Sequence, residues 1–153
     1  GPPGRGGLDA VAAALVRAPW AAGASVNLVD LRARRMANIE VYEDQHALTE
    51  VTERMGNYSH FNMFKALGAG RLDAAQPSTL HRQARVDALP PPRAAADIAA
   101  RLSDAADREY PVFRNMTLAT LVLDGASGRL DAWCCGRAAA GGGPPVRTWR
   151  LAR

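Results

Sequence analysis

Lysine is almost missing from this chain: of 19 basic residues only Lys65 is a lysine, and the arginines run from Arg5 to Arg153 without gathering. Arg32, Arg34 and Arg35 form the one dense group, and Asp30, Glu40, Glu43 and Asp44 flank it. A net charge of +4 dispersed in this way supports a weak preference for anions and argues against a nucleic-acid interface, which needs its cations on one face. The arginine bias, beside abundant alanine, glycine and proline, reads as the coding habit of a GC-rich genome. Cysteine is also scarce. Cys134 and Cys135 are the only two, they are adjacent, and no cysteine precedes them. In an extended segment neighbouring side chains point to opposite faces, so a structural bridge between them is not expected; one core thiol and one surface thiol in a reducing intracellular compartment is the simplest reading.

Long hydrophobic runs are missing too. No apolar stretch reaches the roughly 18 residues of a membrane helix, and residues 1–7 contain neither an initiating methionine nor the apolar core of a signal peptide. The chain is therefore expected to be a piece of a longer one. His46, His60 and His81 do not stand at spacings that close a metal shell, and the glycine-rich stretches 4–7 and 141–143 lack the Lys-Ser or Lys-Thr of a phosphate loop. No metal or cofactor is expected.

What is there fits an α+β chain of 153 residues, long enough to bury a core. After a Pro/Gly linker over residues 1–7, the spacing of Leu8, Val11, Ala12, Leu15 and Val16 predicts a helix over 8–18, ended by Pro19. The period then becomes two: strands are predicted over 25–30, 36–42 and 48–53, joined by short links as an antiparallel meander. Ser78 or Thr79 would cap a helix running through Leu89, with His81, Arg82 and Arg85 on its solvent face, and Pro90-Pro91-Pro92 stops it. A second helix over 93–103 would turn Ile98 and Leu102 inward. Strands over 116–124, 129–135 and 146–151 follow. Helices on one face of an antiparallel sheet leave the other face to be covered.

The chemistry-bearing feature is a polar cluster directly after the third strand, Asn57-Tyr58-Ser59-His60-Phe61-Asn62, with Arg114 opening the later apolar strand. It looks like the wall of an active site without an attacking group. His60 fits either a loop-fixing histidine or a group at a site. Arg114 fits either a buried ion pair with Asp107 or Glu109, or an anion-binding position.

Several stretches fall in a shared order: Gly23 through Asp30, Asn38-Ile39-Glu40-Val41, Ser59-His60-Phe61, Ser78 through Arg85, Arg114 ahead of Thr117 through Asp124, and Cys135-Gly136-Arg137. Together they resemble the C-terminal half of the acyl-coenzyme A:6-aminopenicillanate acyltransferase family. The resemblance spans most of the chain after Gly23 and implies half of a four-layer αββα sandwich of the N-terminal-nucleophile hydrolase type. In such proteins a cysteine freed by self-cleavage attacks an amide or thioester while its own α-amino group takes the proton. It implies further that Arg114 is the family's active-site arginine. Ser59 would stand where the family carries an asparagine able to donate to an oxyanion, with His60 beside it and Asn57 or Asn62 as substitute donors. The nucleophile would come from an upstream half of the same precursor or a companion chain, and the substrate would be a small acyl amide or thioester, acyl-coenzyme A among them. The alternative is a non-catalytic structural or docking domain of a larger assembly, which kept the scaffold and lost the site.

Overall fold

The computed structural model describes residues 7–68 and 76–152. They belong to two compact units, Gly1–Ala74 and Ala75–Arg153. Each unit combines helix with one antiparallel three-stranded sheet, so the α+β class expected from the sequence is what forms. The linker assigned to residues 1–7 lies outside the described residues apart from Gly7, where the first helix begins.

In the first unit, helix α1 (Gly7–Arg17) buries Leu8 and Ala12 and places Asp9 in its first turn, where the helix dipole favours an anion. Strands β1 (Ala24–Asp30), β2 (Arg35–Tyr42) and β3 (Gln45–Val51) pair in the order β1-β2-β3, with Val26 opposite Ile39 and Ile39 opposite Leu48. As the central strand, β2 is covered on both sides: Ala37 through Val41 are all buried. Ile39 and Val41 pack with Ala12 of α1, and Leu15, Val16, Trp20, Val26 and Leu28 close around them. Arg35 ties this layer at its edge, bonding Asp9 of α1 at 3.2 Å and Glu50 of β3 at 2.9 Å. β3 begins at Gln45 rather than at Leu48 because the hairpin closes through Glu43 and Asp44 alone, with Glu43 at a φ of 53°.

The face of this sheet turned away from α1 differs from expectation at its centre. By register it carries Ser25 and Asn27 on β1, Asn38 and Glu40 on β2, and Ala47 and Thr49 on β3, a polar surface where an apolar one was anticipated. Met36 and Val29, both exposed, supply apolar surface only toward one end.

The second unit holds helices α2 (Pro77–Asp87) and α3 (Ala95–Leu102) and strands β4 (Ala119–Asp124), β5 (Arg129–Cys134) and β6 (Arg147–Arg150), paired in the order β4-β5-β6. α2 starts at a proline, whose fixed φ suits the first helical position, so Gln76 takes the cap position and Ser78 and Thr79 fall inside the first turn. At the start of α3 the Asp97 carboxylate accepts the backbone N–H of Arg93 and Ala94, and the buried Arg101 donates to the carbonyls of Leu89 and Pro90. Ile98, expected to point inward, is 37% exposed; Leu102 is half-buried.

α3 packs against β4, whose Thr120 and Val122 are buried while Ala119 and Leu121 are not. The alternate set, Leu121, Leu123, Leu130, Ala132 and Trp149, shares one face through the pairs Leu121 with Ala132, Leu123 with Leu130 and Leu130 with Trp149. Leu121 is 58% exposed and Trp149 41%. One antiparallel sheet was expected, and two three-stranded sheets form instead, one in each unit; on this face of the second sheet Leu123 and Leu130 are half-buried and Ala132 is buried.

Candidate functional site

Alternation along β2 sends Asn38 and Glu40 to the face opposite α1, and the segment after β3 folds onto them. Asn38 donates through Nδ2 to Ser25 Oγ at 2.8 Å and to Asn27 Oδ1 at 2.9 Å, while its Oδ1 accepts from the Tyr58 hydroxyl at 3.5 Å. Glu40 has no exposed surface. Its carboxylate accepts the backbone N–H groups of Lys65 at 2.5 Å, Ala66 at 2.9 Å and Leu67 at 2.8 Å, and meets His60 Nε2 at 2.7 Å. An ionised carboxylate can only accept, so Nε2 carries the hydrogen in this contact.

The electrostatics follow from that arrangement. Burial alone would push the Glu40 carboxyl up, but the N–H groups of Lys65 and Leu67, the His60 ring and the N–H of Ala66 outweigh it and hold the group below the usual carboxylate range. Tyr58 is displaced the other way: desolvation first, then the nearby Glu40 charge, raise its phenol, with a hydrogen bond to Thr49 opposing. Lys65 lies with Nζ 5.2 Å from the centre of the Tyr58 ring and donates to the Ser59 carbonyl at 3.0 Å. Phe64 is buried edge-on to Tyr42, with ring centroids 5.7 Å apart, in the space left by Gly23.

Three of the residues singled out in the sequence, Asn57, Ser59 and His60, therefore share one loop, anchored by Glu40 on the sheet's polar face. The His60 side chain is only 6% exposed and its Nε2 is committed to Glu40. Asn57 is half-buried, its N–H bonded to the Met55 carbonyl at 2.8 Å, and Asn62 is exposed. The organising residues, Asn38, Glu40, Tyr58 and Lys65, were not singled out as site residues. Their signal was the pair of polar side chains at alternate positions of a central, otherwise apolar strand.

Arg114 belongs to the second unit. It precedes β4 in a turn instead of opening the strand, with its N–H on Thr117 Oγ1 at 3.0 Å and its guanidinium Nη1 on Ser78 Oγ at 3.4 Å. Asp107, one of the partners considered for it, is bonded to His81 at 2.9 Å and to the backbone of Glu109 and Tyr110. His81 and Arg85 lie on the accessible side of α2, Arg85 pairing with Asp104 at 2.7 Å. Arg82 does not join them: it is buried, donating from Nε to the Ser78 carbonyl at 2.9 Å, and desolvation, then the charge of Arg114, lower its pKa. The solvent-face assignment of Arg82 is corrected accordingly.

Among the described residues no group of three or more His, Cys, Asp or Glu side chains is placed to hold a metal ion, and no helix is long and apolar enough to cross a membrane. No family model matches the chain, and no curated protein or solved structure matches it at a significant level.

Proposed function

We propose that this chain is the C-terminal part of a cysteine N-terminal-nucleophile amidohydrolase or acyltransferase, which acts on small acyl amides or thioesters with a nucleophile from an upstream segment or companion chain. One observation carries the reading: the loop bearing Asn57, Ser59 and His60 is held by a buried carboxylate through a ring nitrogen and three backbone N–H groups. Acyl transfer needs dipoles fixed before charge develops on the tetrahedral oxygen, and a loop pinned at its base is the way a fold supplies them. The apolar face of the second sheet supports the same reading, because one layer of a sandwich presents such a surface to the next.

On this reading Glu40 and His60 position the loop and Asn57 and Ser59 would serve as its oxyanion donors, while the resemblance alone implies for Arg114, in the second unit, the binding of an anionic group of substrate or thiolate. A second reading, a structural or docking domain without chemistry, is favoured by one specific feature. Glu40 and the His60 Nε2 are fully engaged with each other and with the backbone, which is also how a purely structural staple would look.

The two separate by reconstitution. Mixed with an upstream half bearing an N-terminal cysteine, the chain is expected to hydrolyse N-acyl amides or acyl thioesters, and Arg114→Ala should reduce the rate about a hundredfold. A pair that assembles and hydrolyses nothing supports the docking domain; an active pair indifferent to Arg114→Ala removes that residue from the site.

A further inference from the structure

Adjacent cysteines in a strand should point to opposite faces, yet Cys134 and Cys135 do not. β5 ends at Cys134, and the chain then turns through two left-handed residues, Cys135 with φ 60° and Gly136 with φ 77°. The turn brings the two sulfurs to 3.0 Å, with Cys134 half-buried and Cys135 exposed. The hydrogen bond to Cys135, then desolvation and the neighbouring sulfur's charge, raise the Cys134 thiol, and only Arg137 opposes them. The accessible Cys135 is the sulfur that meets a reagent first.

We propose that Cys134 and Cys135 form a vicinal dithiol modification site, which reacts with low-molecular-weight disulfides and closes to an intrachain disulfide. The Cys135 thiolate attacks one sulfur of the small disulfide, forming a mixed disulfide and expelling one small thiolate. Capping Cys135 places a disulfide sulfur beside the Cys134 thiol, which loses its proton to solvent. The Cys134 thiolate, already in contact, then attacks the Cys135 sulfur and expels the second small thiolate. The protein dithiol is oxidised by two electrons, the reagent is reduced to two thiols, and the cysteine protons end on the released thiolates.

Adjacent Cα atoms across a trans peptide are about 3.8 Å apart, below the roughly 4.4 Å at which disulfides usually begin, so the closed ring is strained and readily reduced. The bond is thus suited to a reversible mark, not to a structural bridge.

The test uses the full chain with oxidised glutathione as the probe, quenched with acid and read by intact mass. Wild type should lose two hydrogens, retain no glutathione, and return to its original mass with dithiothreitol. Cys134→Ser should hold one glutathione on Cys135, and Cys135→Ser should react about tenfold more slowly, as its remaining thiol is half-buried. A wild-type chain that accumulates a stable glutathione adduct, links to a second copy, or does not react would overturn the proposal.

Discussion

Glu40 remains a carboxylate without any exposed surface because four donors converge on it, three of them backbone N–H groups that cannot move without unfolding the loop. Replacing it with glutamine exchanges one acceptor for an amide that faces those donors. Glu40→Gln should cost about 2–4 kcal/mol at pH 7, measured by urea denaturation, since hydrogen bonds to a charged group are the strong ones and the new amide N–H groups would face donors inside the fold. The pH dependence has a definite sign. A carboxyl held below its unfolded value, near 4.3, stabilises the fold fully above that value and ceases to do so as pH falls through the lower folded value. The gap between wild type and Glu40→Gln should therefore narrow below about pH 4. Arg35 provides the contrast: its two ion pairs lie at the surface, so Arg35→Ala should lower stability far less, and molar salt should shrink the difference.

Among the elements, Gly23 positions the loop from beneath. A Cβ there would stand 2.5 Å from Phe64 Cζ and 2.9 Å from Tyr42 Cδ2, and Phe64 is buried one residue before the N–H groups that bind Glu40. Gly23→Ala should cost about 1–3 kcal/mol through overpacking, and amide exchange should show faster opening at Lys65, Ala66 and Leu67 than elsewhere in the unit. The meander itself was legible, because alternation over β1 and β2 is strong and the short links leave few topologies. The start of β3 was not: Gln45 and His46 look like turn residues, and the two-residue hairpin at Glu43 needs a positive φ that no glycine announces. The loop residues were visible as a polar cluster, but their anchor was not. A charged residue in a central strand reads as an edge or solvent position until its backbone partners, more than 20 residues later, are in place. The two thiols are free, one half-buried and one exposed, and only their closeness was not legible, since the rule of opposite faces holds only while the strand continues.

At the scale of the whole molecule, the two sheets carry unlike surfaces. The first is polar at its centre and folds a loop over itself; the second keeps Leu121, Leu123, Leu130 and Trp149 on one side. A three-stranded sheet is stable when a helix layer covers one face, as α3 does for β4, so the apolar side need not be covered for this unit to fold. If the chain completes a sandwich, as proposed above, that side is where the other layer rests, and the residues that matter for assembly differ from those that matter for folding. Leu121→Asp then tests assembly alone: circular dichroism and the denaturation midpoint of the isolated chain should stay near wild type, because the side chain is already 58% exposed. Affinity for the upstream half should fall at least about tenfold, since burying a leucine contributes roughly 1.5–3 kcal/mol and a buried carboxylate adds a desolvation cost. Titration calorimetry or reconstituted activity against partner concentration reads the change. Unchanged affinity for an upstream half that does bind would place the partner on some other surface, and with it the sandwich reading would lose its physical basis.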